Sequence, residues 1–162
     1  MHTPQREITL TFMAEPTSAN FAGNVHGGSV MKWLDHAGYA CAAGWSGRYC
    51  VTANVGNIRF ISPILVGNVV RVRAKVIYTG SSSMHILVDV SATDPRDNDY
   101  RPTTRCVMVF VAMDDNKKPA KVAPWSPESD SDKALASAAV RLMESSRAIM
   151  EETRDSFEAG YD

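Results

Sequence analysis

Residues 7–13 alternate between apolar Ile8, Leu10 and Phe12 and polar Glu7, Thr9 and Thr11, the period of a half-buried strand. A loop rich in Pro, Ser, Asn and Gly follows, AEPTSANFAGNVHGG, and beyond it the period lengthens to about 3.6. That spacing predicts a helix from Gly28 to Trp45, with Val30, Leu34, Ala37, Cys41 and Trp45 on one face and Lys32, His36 and Tyr39 on the other. The helix is rich in small residues, among them Gly38, Ala42 and Gly44. Its glycines cost helix stability but let another backbone come close, so a sheet wrapped around the helix is expected.

Four further strands are predicted. Residues 51–61 are rich in Val, Thr, Ile and Phe and end before Pro63. Residues 69–78 and 84–92 alternate around the turn Thr79-Gly80-Ser81 and read as a hairpin, with Arg71, Arg73 and Lys75 on the wet face of the first strand and His85, Asp89 and Ser91 opposite the apolar face of the second. Residues 105–113, RCVMVFVAM, are apolar on both faces, which suits a central strand or one covered by another subunit. Ser126-Pro127-Glu128 resembles an N-cap, a proline at the first helical position and a first-turn acid, and so predicts a long helix starting there. One strand, a buried helix, four strands and an added helix give an α+β class with one domain over 1–125 and a helical extension over 126–162.

The composition narrows the function classes. A formal charge of −1 gives no electrostatic case for gripping a polyanion, so no nucleic-acid partner is expected. The first residues lack a basic stretch followed by an apolar run, and no span of 18 apolar residues occurs, so neither secretion nor a membrane partner is expected and the expected location is cytoplasmic. Cys41, Cys50 and Cys106 sit among apolar neighbours and read as reduced core thiols. No His, Cys or carboxylate spacing resembles a metal site.

The densest chemical signal is NFAGNVHGGSVMKWLDHAG. Gly27 and Gly28 precede the buried helix, whose first N–H groups are unpaired and carry partial positive charge. The glycines either make a tight turn or let a carbonyl oxygen dock there and be polarised. Asp35 projects beside Met31, Gly38 and Ala42 at the edge of the apolar stripe, either a general base or a capped surface acid. Asn24 is either a turn residue or an amide that orients water or a carbonyl. Seven residues of helix span roughly 10 Å, so Asp35 does not reach a carbonyl docked at its own helix terminus. Two antiparallel copies would place Asp35 of one near Asn24 and Gly28 of the other, which calls for a dimer. His26 reads as structural, because no Ser or Cys is paired with it as a nucleophile.

These residues, together with NIRFISPILVGNVVRV and VIYTGSSSMHILVDV, resemble the acyl-CoA thioesterases of the hotdog superfamily, in particular the cytosolic, brain-type acyl-CoA hydrolase group, over roughly residues 5–113. The resemblance implies a five-stranded antiparallel sheet around a central helix, a dimer as catalytic unit and a trimer of dimers. It implies hydrolysis of acyl-CoA to free acid and coenzyme A, with Asp35 as general base or nucleophile, Asn24 of the partner subunit orienting water and thioester, and the Gly28 N–H on the thioester oxygen. Within it His26 stands where some relatives carry an apolar residue, and with Gly27 it borders the substrate. Pantetheine would run between Asn57–Arg59 and the turn Thr79–Ser83, so that Asn57, Arg59, Thr79, Ser81, Ser82 and Ser83 become substrate-binding candidates. Arg59 also reads as half of a structural ion pair, and the serines as turn residues. No cofactor is implied beyond coenzyme A as part of the substrate.

Two other functions use the same fold. A hydratase of enoyl thioesters needs an Asp/His pair near the turn, where this chain offers Asn24 and His26. A non-catalytic acyl-CoA sensor needs ligand binding alone.

Overall fold

The computed structural model describes residues 1–160. Its elements run β1 (Glu7–Met13), a short 3-10 turn (Pro16–Ser18), α1 (Gly27–Ser46), β2 (Cys50–Phe60), β3 (Val69–Thr79), β4 (Ser83–Thr93), β5 (Arg101–Ala112) and α2 (Asp130–Ala159). The strands form one antiparallel sheet in the order β1-β3-β4-β5-β2, which leaves β1 and β2 as its edges. Helix α1 touches all five strands, so the sheet closes around it as a hotdog fold does.

The core follows the periodicity. Val30, Leu34, Ala37, Cys41 and Trp45 of α1 are buried against Val70, Val72, Val88, Met108 and Phe110 of the sheet, while Lys32, His36 and Tyr39 are exposed. The close approach expected of the small residues is real at Gly38, where an added Cβ would lie 2.7 Å from the Phe110 ring. All three cysteines are free and buried. Burial pushes the Cys41 and Cys106 thiols up to about 12, which leaves them inert near neutral pH.

Helix α2 departs from the sequence reading at its start. It begins at Asp130 rather than beside Ser126, and the cap is Ser129, whose hydroxyl accepts from the Asp132 N–H. Ser129 is followed by Asp130 and Asp132, two acids suited to the positive end of a helix. Asp132 is also tied down from outside the helix. Arg6 grips both of its oxygens at 3.1 and 2.5 Å and stacks 4.3 Å over Trp125, and Lys75 lies 3.8 Å away.

The connector from β5 to α2 is a pinned strap. Trp45 donates its indole N–H to the Ala123 carbonyl, and the backbone N–H groups of Val122 and Trp125 donate to the Ser81 carbonyl and the Thr79 hydroxyl. The strap carries α2 onto the convex face of the sheet. His85, expected on the wet face, is therefore only 4% exposed. Strand β5 lies inside the sheet between β4 and β2, and its outer residues Val107 and Val109 are half-buried under this chain's own helix.

Gly38→Val forces Phe110 or the helix to move, and it is expected to destabilise the fold by about 2 kcal/mol in urea denaturation. Asp132→Asn removes the counter-charge of Arg6 and is expected to speed protease cleavage beyond residue 125. The Arg6 guanidinium holds the Asp132 carboxyl below the usual carboxylate range. Its stabilising contribution is therefore present above that range and lost as pH falls through the folded value, so acid accelerates wild-type cleavage in the same way.

Candidate active site

The amino end of α1 is built by the loop before it. His26 is the N-cap, in extended backbone, and its Nδ1 accepts the Gly28 N–H at 3.0 Å. The donor that the sequence reading reserves for a thioester oxygen therefore pairs with an imidazole in this structure. The His26 ring must swing aside for Gly28 to serve a ligand, an easy motion for an exposed side chain. Gly27 is half-buried, with the Phe60 ring 3.8 Å from where its Cβ would stand, so the last residue of β2 borders this helix end.

Asn24 is half-buried in a tight loop, bridged to Leu65. The loop is organised by Asn20, whose Oδ1 accepts from the N–H groups of Ala22 and Asn24 at 2.9 and 3.1 Å, an Asx turn. Asn20 thus lies in the same small turn as Asn24. The sequence reading did not single it out.

Asp35 is half-buried at the edge of the apolar stripe, with Gly38 and Ala42 buried beside it. Its partner was also missed: the Thr52 hydroxyl on β2 donates to Asp35 Oδ1 at 2.6 Å. This bond fixes one carboxylate oxygen and leaves the other free to accept a proton. A threonine near the start of an edge strand carries no local signal, because only the docking of α1 against β2 brings the two together.

The pantetheine candidates fall into two groups. Thr79 and Ser81 hold the strap through their hydroxyl and carbonyl, and the Ser82 carbonyl accepts from Ala112. Asn57 and Ser83 instead line one groove beneath α2. Arg59 is exposed on β2 and makes no ion pair among the described residues. Among the described residues no group of three His, Cys, Asp or Glu is placed to hold a metal ion, and no helix is long and apolar enough to cross a membrane.

Strand β2 is an open edge with exposed apolar side chains, Val55, Phe60 and the adjoining Ile61 at 42, 54 and 55%. Beside it on α1 stand Met31 and Tyr39, also exposed. Such an edge is a surface for pairing with another chain.

Residues 22–98 match the Thioesterase superfamily. The acyl-CoA thioester hydrolase YciA of Salmonella typhimurium is 31% identical over 122 residues, covering 73% of this chain and 91% of that protein. This chain belongs to the thioesterase superfamily. Within that superfamily the fold resembles an acyl-CoA hydrolase from Staphylococcus aureus solved with butyryl coenzyme A, coenzyme A and coenzyme A disulfide, at 27% identity, a TM-score of 0.85 and coverage of 96% and 95% of the two chains. It also resembles the hexameric thioesterase y2039 of Yersinia pestis, at 31% identity, a TM-score of 0.68 and coverage of 75% and 98%.

Alanine variants of the Staphylococcus aureus enzyme have been solved at an asparagine, an aspartate and a threonine. There the threonine follows the aspartate by 17 positions, the separation of Asp35 and Thr52 in this superfamily member. The asparagine precedes the aspartate by 15 positions, which is the separation of Asn20, rather than Asn24, from Asp35.

His26→Ala removes the helix cap and is expected to cost about 1 kcal/mol of stability, read by urea denaturation.

Proposed function

We propose that this protein is an acyl-CoA hydrolase that releases a carboxylic acid and coenzyme A, with Asp35 as the catalytic carboxylate. The observation that carries this reading is the Thr52–Asp35 hydrogen bond, which aims a half-buried carboxylate from α1 across the edge of β2 in a chain of the thioesterase superfamily. Water attacks the thioester carbonyl carbon while the free oxygen of Asp35 takes its proton. The C–S bond then breaks, and the departing thiolate recovers that proton. Positive charge at the α1 terminus stabilises the oxyanion once His26 releases the Gly28 N–H. Attack by Asp35 itself, through an anhydride, uses the same side chains.

The catalytic unit is a dimer, with β2 edges joined and each Asp35 facing the loop of its neighbour. The exposed apolar residues of that edge support this, as do the hexameric neighbours. Three such dimers make the assembly.

For the amide that orients water or thioester, Asn24 from the partner is one reading. The separations in the Staphylococcus aureus enzyme favour a second, in which Asn20 plays the part and Asn24 shapes the turn. The Oδ1 of Asn20 is engaged within the turn, but its NH2 is left to donate outward.

Thiol release from acyl-CoAs tests the proposal. Asp35→Ala is expected to lose turnover by about 10³-fold and Thr52→Val by roughly tenfold, both as folded oligomers. The asparagine whose alanine variant loses the larger factor is the orienting amide. Mixing that variant with Asp35→Ala restores part of the activity where the site is shared between subunits. Undiminished turnover in Asp35→Ala refutes the mechanism.

A further inference from the structure

Helix α2 is held unevenly along its length. Its buried residues, Asp132 and Ala139, both fall in its first third, where Arg6 grips Asp132 and Lys75 lies beside it. Leu142, Met143 and Ser146 are half-buried, and beyond Ser146 every described residue except Thr153 is exposed. Beneath this lightly held stretch the helix does not pack closely on the sheet but spans a groove of about 580 Å³.

The groove contains a covered histidine. His85 on β4 is only 4% exposed and its ring meets Tyr78 of β3 edge-on, yet the ring makes no hydrogen bond among the described residues. Its nitrogens are not sealed inside the protein, so they open on the groove. A neutral imidazole is tolerated in such a place, whereas an imidazolium asks for a counter-charge.

The surroundings do not supply one. Among the described residues that line the groove, the ionisable ones besides His85 are Arg147, Glu151 and Arg154 of α2, so the roof carries two positive charges against one negative. The β5 residue paired with His85 is Val109, and β2 contributes Asn54 and Asn57, none of which ionises. The next carboxylate along β4 is Asp89, which is engaged by Arg105.

Covering His85 therefore makes the seating of α2 depend on pH. Burial lowers the His85 pKa from its ordinary 6.5, so the covered ring takes a proton less readily than an uncovered one. The contribution of the cover is complete above about 6.5 and declines as pH falls below it. The Arg6–Asp132 pair does not share this window, because its carboxyl is held below the usual carboxylate range.

We propose that α2 beyond Ala139 is an acid-released cover: a proton on His85 favours a state in which this stretch lifts off the sheet and opens the groove, while the Arg6–Asp132 pair keeps the first turn in place.

Amide hydrogen exchange, corrected for intrinsic rates and compared near pH 7.5 and about pH 5.5, reads the opening segment by segment. One unit below 6.5 an uncovered imidazole is protonated about ten to one, which sets the ceiling of the effect. Exchange of residues 140–154 in the wild-type protein is thus expected to rise several-fold toward about tenfold, with β4 and β5 unchanged. His85→Gln keeps a polar side chain that cannot take the proton, and it is expected to abolish the rise. The absence of a rise in the wild type, the same rise in His85→Gln, or a rise spread evenly over the sheet overturns the inference. If His85→Gln does not fold, an NMR titration of the wild-type His85 ring decides: a midpoint below 6.5 supports the cover, and one at or above 6.5 overturns it.

Discussion

The contact on which the architecture turns is the seating of α1 against β5 at Gly38. A helix backbone can approach an aromatic ring this closely only where no Cβ intervenes. The glycine sits one turn from Asp35, so the depth of the helix in the sheet also decides where the carboxylate stands. At this depth Asp35 reaches the Thr52 hydroxyl on the edge strand. A core packing constraint and a chemical group thus share one helical turn.

Much of this was legible in the sequence. The five strands and α1 follow from apolar periodicity, because burial on one face repeats every two residues in a strand and every 3.6 in a helix. Asp35 stood out because a carboxylate at the border of an apolar stripe is unusual. What the sequence hid is what non-local packing decides. Thr52 is ordinary strand sequence until α1 docks beside it. His85 reads as solvent-facing until α2 covers it. Asn20 and Asn24 belong to the same polar loop, and only the folded turn shows that one organises the other. The start of α2 was misplaced because Ser126-Pro127-Glu128 and Ser129-Asp130 both carry capping chemistry, and the ion pair that selects the second involves Arg6, far away in sequence.

The strap and α2 tie the two ends of the chain together. Arg6, just ahead of β1, holds the first turn of α2, while Trp45 at the end of α1 and Thr79 at the end of β3 hold the strap. The helix is thereby laid over a face of the sheet that would otherwise be wet, and it turns that face into the wall of a groove. Its far half leaves Ile149, Met150 and Phe157 exposed.

The two borders of the sheet are unlike each other. β1 is seven residues long, with Glu7, Thr9 and Thr11 exposed, while β2 is eleven residues long, greasy along part of its length and stepped in register twice. Like borders meeting head to head would cover the greasy one on both copies and leave the short β1, its exposed residues polar except at Met13, outward. The shorter β1 border, with its exposed Glu7 and threonines, is the less inviting edge for another strand.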